Sequence, residues 1–388
     1  MIPRAITPKL RTLAEGFPVL TLTGPRQAGK TTLVRDSFPN HDYANLEFPD
    51  IRAFAERDPR GFLGSLKGGA ILDEIQHVPG LLSYIQGLVD ESGEMGRFVL
   101  TGSGNLLRLE KLSQSLAGRT AVVHLLPFSL KELLDAGLDR GSWEEWAFRG
   151  FYPPLYDRTV PPEEWLASYV ETYLERDVRA VTNVHNLSLF RDFMRLCAGR
   201  VGQILNAASL GNDLGVDQKT VTAWLSVLEA TFTTFTLRPY YRNFNKRIVK
   251  SPKLYFHDTG LVCYLMGIRS PEQLQTHHAR GSLFENMMLA ELHKNAAAMG
   301  RRASLYFWRD RTGREIDCIW EHAGKTRGME LKSGKTVADD FFTTLNYLRS
   351  LAGNHWDQSY IVYGGESPQS RTTAEVLPWY DIAGFSVE

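Results

Sequence analysis

The sequence predicts an α/β protein with more than one domain, and three observations carry that prediction. An apolar run, Val19-Leu20-Thr21-Leu22-Thr23, enters a glycine-bearing loop at Gly24 and leaves it into a helical pattern at Leu33-Val34-Arg35. Further apolar runs at 69–75 and 97–103 end in acids or hydroxyl residues, as buried strands do where they reach a site. Beyond residue 280 a helical pattern is followed by strands of alternating character, which marks a second α/β region.

Composition sets the frame. At 388 residues the chain exceeds one typical domain, so two or three cores of about 100–150 residues are expected. Hydrophobic residues at 43% and charged ones at 23% are ordinary for globular proteins and argue against long disorder. The 44 basic and 44 acidic side chains cancel, so attraction to nucleic acid must come from a local patch. Cys197, Cys263 and Cys318 form no CxxC pair, which speaks against a disulfide framework or zinc ribbon and points to a reducing cytoplasm. The first residues lack the apolar core of a signal peptide and no apolar run is long enough to span a bilayer, so no membrane segment is expected.

Gly24, Pro25, Arg26, Gln27, Ala28, Gly29, Lys30, Thr31 and Thr32 fit GxxxxGK[ST] between a strand and a helix. Backbone N–H groups at a helix N-terminus face nucleotide phosphates, Lys30 neutralises the β/γ charge, and the Thr31 hydroxyl reaches Mg²⁺. Tyr43–Leu46 reads as a second short strand. In Gly69–Ile75, Asp73 ends a buried strand and can hold Mg²⁺ through Thr31 or water. Glu74, unable to point the same way along a strand, is left to polarise the attacking water. Thr101 or Ser103, closing the strand at 97–103, is a candidate γ-phosphate sensor. Arg119, at the turn before a last strand, is a candidate arginine finger in cis or in trans, or else faces solvent.

These stretches, GPRQAGKTT, AILDEIQ, FVLTGSGNLL and LAGRTAVVHLLPFSLKEL, together resemble the AAA-type P-loop ATPases of bacteria and archaea, which carry a characteristic C-terminal domain of unassigned function. The resemblance covers essentially the whole chain. It implies ATP and Mg²⁺ as cofactors, hydrolysis by an α/β core at 1–140, and a helical lid or linker at 141–185. Biological substrate and oligomeric state are left open by it.

From Pro161 to Val184 apolar residues recur at helical intervals, predicting one long helix, a lid or a transmission element. A winged helix-turn-helix is expected at 186–260. Helices at Leu189–Leu196, Ile204–Leu210 and Thr220–Leu228 surround a turn containing Gly215, with Asp217 as cap. Val221, Trp224, Leu225 and Leu228 face inward, leaving Gln218, Lys219 and Thr222 to meet DNA. Phe232–Tyr241 and Lys253–His257 would form the hairpin wing. Its basic residues Arg238, Arg242, Lys246, Arg247, Lys250 and Lys253 alternate with Tyr240, Tyr241 and Phe244, suiting phosphate contact and base stacking; Arg242, Lys246 and Arg247 are the sharpest candidates. A solvated or protein-contacting hairpin would use the same composition.

Within 261–388 a helix from Gly281 carries Glu285, and strands at Arg314–Trp320 and Arg327–Lys332 follow. Alternation puts Glu330 and Lys332 on one face, where Asp317 can join them. An acid on one strand and Glu-x-Lys on the next resembles the restriction-endonuclease-like core, in which two carboxylates bind Mg²⁺ and a lysine orients water. The resemblance implies those roles for Asp317, Glu330 and Lys332, with Glu285 as a helix-borne ligand; Ile316 stands where a proline often precedes the first acid. An active nuclease and a binding or assembly platform both remain open. The expected function is an ATPase coupling turnover to DNA or a protein partner, with a homo-oligomer as a further option. The alternative is an ATP-gated nucleic-acid-binding protein or metal-dependent nuclease.

Overall fold

The computed structural model describes residues 2–103, 115–139, 141–174, 186–240 and 251–387. The chain divides into two compact units, one of Met1–Phe128 with Ala230–Phe232 and Ala297–Arg301, the other of Ser129–Glu229, Thr233–Ala296 and Arg302–Glu388.

The first unit is built on strands β1 (Val19–Gly24), β2 (Asp42–Asn45), β3 (Ala70–Asp73), β4 (Phe98–Ser103) and β5 (Thr120–His124). They form one parallel sheet in the order β2-β3-β4-β1-β5. Parallel strands are covered on both faces, so their sequences are apolar at successive positions. Leu20, Leu22, Ile71, Val99 and Val123 pack with Leu33 and Val34 on one face, while Val19, Leu72, Phe98 and Leu100 pack with Leu81, Leu82 and Ile85 on the other. Because β4 lies between β1 and β3, the loop leaving β1 and the acid ending β3 flank its end. The expected α/β character and parallel sheet are therefore present.

In the second unit the helices Leu187–Gly199, Ala207–Leu214 and Gln218–Ala230 follow one another. Phe190, Phe193 and Trp224 lock the first to the third, with ring centroids 5.3–5.5 Å apart. Asn186, Asn206 and Asp217 side chains accept the backbone N–H groups of Leu189, Ser209 and Thr220, capping the three helices. Val221, Trp224, Leu225 and Leu228 are buried, and Gln218, Lys219 and Thr222 are exposed. Of the long helix expected over 161–184, the described residues form an α-helix at Pro162–Tyr169 and a π-helical turn at Val170–Leu174, and 175–184 lies outside the described residues.

An eight-stranded sheet completes the unit. Its strands are β6 (Thr234–Pro239), β7 (Lys253–Phe256), β8 (Tyr306–Arg309), β9 (Glu315–His322), β10 (Lys325–Lys332), β11 (Trp356–Tyr363), β12 (Gln369–Ser370) and β13 (Glu375–Pro378), in the order β12-β13-β11-β10-β9-β8-β6-β7. β9 runs antiparallel to both of its neighbours β8 and β10, β10 and β11 run parallel, and the helix Thr343–Ala352 crosses over between these two. The hairpin β6–β7 lies at the edge of this same sheet. Arg242, Lys246 and Arg247 fall within 241–250, outside the described residues. Two other members of the expected basic, aromatic surface are interior: Lys253 is buried and ion-paired, and Tyr240 is buried with its hydroxyl donating to Glu321 at 2.7 Å. Among the described residues no helix is long and apolar enough to cross a membrane.

On the helix Arg280–Ala298, the ring of His293 lies 4.3 Å from that of Phe235. Burial pushes its pKa down to about 4 from the usual 6.5. The unfolded chain takes up this proton near 6.5 and the folded one only near 4, so the stability is present above 6.5 and is lost as pH falls between those values. The full loss amounts to roughly 3 kcal/mol. In urea titrations from pH 7 to 4, His293→Leu is expected to gain on the wild type by up to that amount at the acid end; parallel curves would contradict the assignment.

Candidate functional site

The loop between β1 and the helix Lys30–Ser37 is shaped by backbone that side chains disfavour. A Cβ added at Gly24 would sit 2.0 Å from the carbonyl oxygen of Leu125, so only glycine lets the chain pass. Gly29, at φ 89, caps the helix and turns its first N–H groups into the loop. Pro25 and Ala28 are buried, Arg26 and Gln27 half-buried, and Thr32 exposed. Lys30 is buried, its ammonium donating to the carbonyls of Gly24 at 3.1 Å and Pro25 at 2.8 Å. Arg4 braces the outside of the loop by donating to the carbonyls of Ala28 and Leu126, both at 2.7 Å. Nothing in the sequence around Arg4 announced that role.

Asp73 ends β3 almost fully buried. Its Oδ2 accepts from Thr31 Oγ1 at 2.8 Å and from the Tyr43 hydroxyl at 2.8 Å, and its Oδ1 accepts from Thr101. Burial and the neighbouring carboxylate push the Tyr43 phenol far above its usual range, so it stays a donor. A hydroxyl and a carboxylate held together are hard oxygen ligands of the type Mg²⁺ takes. Glu74, the next residue, has φ 57 and leaves the line of the strand. Its carboxylate accepts from the Gln76 amide and from Ser103 N at 3.4 Å. Of the two γ-phosphate candidates, Thr101 is wholly buried as a support for Asp73, while Ser103 lies half-buried beside Glu74.

Arg119 stands elsewhere. β1 and β5 pair with Val19 opposite Thr120, so Arg119 precedes the N-terminal end of β5, at the other end of the sheet from Gly24. Five strand rises, about 16 Å, separate the two ends. Its guanidinium is taken by Asp90 at 2.6 and 2.8 Å. The expectation of an arginine finger acting in cis is thereby corrected: a turn before a parallel strand lies at the wrong end for a phosphate loop.

A second constellation lies in the second unit. The antiparallel register of β9 and β10 brings Asp317 and Glu330 together, as the alternation implied. Lys332 Nζ is 2.5 Å from Glu330 and 3.7 Å from Asp317, and Asp317 also accepts Leu331 N at 2.8 Å. Glu285 reaches the same place from the helix Arg280–Ala298, and Glu285, Glu315 and Asp317 each offer an oxygen within 4.8 Å of the others. Lys253 pairs with Glu285 at 3.0 Å and with Glu315. Burial and the Asp317 charge raise Glu285 to about 7 against the pull of Lys253, and the same causes raise Glu330 against Lys332. Glu315, two residues before Asp317 on one face of β9, was legible from strand alternation yet not singled out. Lys253, read with the basic hairpin, gave no such signal.

A glycine loop at the C-terminal end of a central parallel strand, with a strand-end aspartate across β4, defines a P-loop protein. The family profile described as an AAA domain matches residues 16–134. Two profiles described as domains of unknown function, DUF8612 and DUF4143, match 140–272 and 280–382. Uncharacterized protein Rv2008c of Mycobacterium tuberculosis and Uncharacterized protein Mb2031c of Mycobacterium bovis are each 32% identical over 375 residues, covering 95% of this chain and 82% of theirs. The chain belongs to the family of these two proteins. Among solved structures, the Walker-type ATPase PABY2304 of Pyrococcus abyssi aligns at 18% identity and a TM-score of 0.46 over 68% of this chain and 96% of its own. AMPPCP-bound DnaA from Aquifex aeolicus aligns at 13% identity and a TM-score of 0.30 over 58% and 85%.

The Asp73 hydroxyl shell makes a stability prediction. Thr101→Val keeps the volume but leaves a buried carboxylate oxygen one donor short, which is expected to cost about 1–3 kcal/mol of unfolding free energy. Thr101→Ser should recover most of it in the same denaturation experiment, and a neutral Thr101→Val would show that the bond carries no weight.

Proposed function

We propose that the first unit binds and hydrolyses ATP with Mg²⁺, and that turnover is coupled to DNA or a partner protein through the second unit. The observation that carries the reading is the Thr31–Asp73 hydrogen bond, flanked by Lys30 and Glu74 at one end of the sheet. Thr31 Oγ1 and Asp73 would hold the ion, which when bound supplies positive charge at the β/γ-phosphate oxygens. Lys30 is the fixed cation for those same oxygens, its ammonium resting on loop carbonyls it can exchange for phosphate. The Glu74 carboxylate takes the proton of the attacking water.

Phosphate release tests this directly. Lys30→Ala is expected to lose nucleotide binding and turnover together. Glu74→Gln is expected to keep binding and lose about a hundredfold or more in rate, the typical contribution of a general base. An unchanged rate in Glu74→Gln would leave a scaffold that binds nucleotide without hydrolysing it.

A second reading is favoured by one observation, the meeting of Asp317, Glu330 and Lys332 with Glu285 nearby. We propose that this part of the unit is restriction-endonuclease-like and that the helices at 187–230 with the β6–β7 hairpin are a winged helix presenting Gln218, Lys219 and Thr222 to DNA. Carboxylate oxygens would hold a hard divalent ion, and the Lys332 ammonium would face the charge developing on a phosphodiester. Nicking of supercoiled plasmid in Mg²⁺ or Mn²⁺ should then be lost in Asp317→Asn and persist in Lys30→Ala. Plasmid left intact by the wild type would retire the nuclease reading while leaving the ATPase one untouched.

A further inference from the structure

A cavity of about 230 Å³ in the second unit is lined by Arg191 and Arg195 of the helix Leu187–Gly199, by Arg269, and by Tyr264 and Met266. No acid lines it. Arg191 and Arg195 stand four residues apart, one turn along the same helix face, a spacing at which like charges disfavour the helix. Arg195 pairs with Asp192 at 3.2 Å and Arg269 with Glu163, with roughly half or more of every partner exposed. Such open pairs contribute little and are readily exchanged for a doubly charged anion that guanidinium forks can grip in pairs.

Two features of the walls bear on the same ligand. The helix Thr259–Leu265 ends at the cavity, where its negative pole would oppose an anion. That end is closed: the N–H groups of Met266, Gly267 and Ile268 take the carbonyls of Val262, Tyr264 and Cys263 at 3.0, 3.1 and 2.9 Å, with Gly267 at φ 73. Independently, Val170, also lining the cavity, is the residue at which an α-helix widens into a π-helical turn. Such turns are rare and concentrate at functional sites. The volume lies below the roughly 300 Å³ of drug-sized pockets, room for a phosphate and a small organic moiety of a ligand whose remainder stays outside.

We infer that this cavity binds a phosphate monoester, its dianion among Arg191, Arg195 and Arg269 and its organic part on Tyr264 and Met266. The monoester can belong to a free mononucleotide or to the 5′-phosphorylated end of a nucleic-acid strand. The site is independent of the P-loop, so calorimetric titration is done in the full chain carrying Lys30→Ala, where phosphate-loop binding does not contribute. The titrants are dAMP, a short oligothymidylate with a 5′-phosphate, and the same strand with a 5′-hydroxyl. Binding of dAMP identifies a free monoester as a ligand, and preference for the phosphorylated over the hydroxyl strand identifies a strand end. In either case Arg195→Gln and Arg269→Gln should each weaken binding by at least roughly tenfold. Both side chains are more than half exposed, so these variants are expected to fold, and a thermal melt checks it. Failure of every titrant to bind, equal binding of the two strands with dAMP silent, or binding indifferent to both substitutions would overturn the inference.

Discussion

The first unit is organised by one buried carboxylate. Asp73 receives hydroxyl hydrogen bonds from Thr31 on the helix after the loop, from Tyr43 on β2 and from Thr101 on β4. A carboxylate removed from water costs several kcal/mol unless its oxygens are occupied, and bonds to an ionised acceptor are the strong kind that offset this. Three donors on three elements can converge only if β3 lies between β2 and β4 and if the helix from Lys30 reaches across β4. The strand order, the tight passage at Gly24 and the placement of Lys30 are thus geometrically tied to a single acid. Of these hydroxyls the one from Thr31 lies on the helix that follows the loop, so Asp73 and the loop are aligned by the fold.

In the second unit a denser set of acids is stabilised differently. Glu285, Glu315, Asp317 and Glu330 are held by the cations of Lys253, Lys332 and Arg309, where Asp73 is held by neutral hydroxyls. Cations answer mutual repulsion as well as desolvation, which hydroxyls cannot. Burial alone would depress Lys253, yet Glu285, Asp317 and Glu315 hold its pKa above the ordinary lysine value. The acids and lysines stabilise one another's charged forms. Because Lys253 opens β7, Glu315 opens β9 and Glu285 rides on the helix Arg280–Ala298, the network ties the edge hairpin to the middle of the sheet.

What could be read from the chain depended on whether the information was local. The phosphate loop, Asp73 and Glu74 were legible because backbone constraint, strand end and chemistry lie within a few residues of each other. Glu330 and Lys332 were legible through strand alternation, and Gln218, Lys219 and Thr222 through helix periodicity. The cis role of Arg119 was not decidable because a turn and an arginine say nothing of which end of a parallel sheet they occupy; pairing with β1 decides that. Tyr240 and Lys253 were misread because a stretch of basic and aromatic residues looks solvated until its partners, Glu321 for one and Glu285 and Glu315 for the other, arrive from far along the chain. Arg4 and Tyr43 serve the phosphate site through contacts that no spacing encodes.

The placement of Asp73 and Glu74 shows how a local rule and a tertiary constraint combine. Alternation along a strand already forbids two neighbouring carboxylates from serving one metal site. Alternation alone, however, would send Glu74 to the opposite face of the sheet, into packed apolar side chains. The backbone instead breaks from the strand at Glu74 with φ 57, a conformation uncommon for any residue but glycine, asparagine or aspartate. Such a residue persists only where its surroundings over-determine it. Here the Gln76 amide and the Ser103 backbone N–H hold the carboxylate, while Ile75 immediately beyond is fully buried and anchors the turn. The kink therefore keeps both acids at the same end of the sheet in different orientations, which is the arrangement that separating a metal-binding role from a proton-accepting role requires.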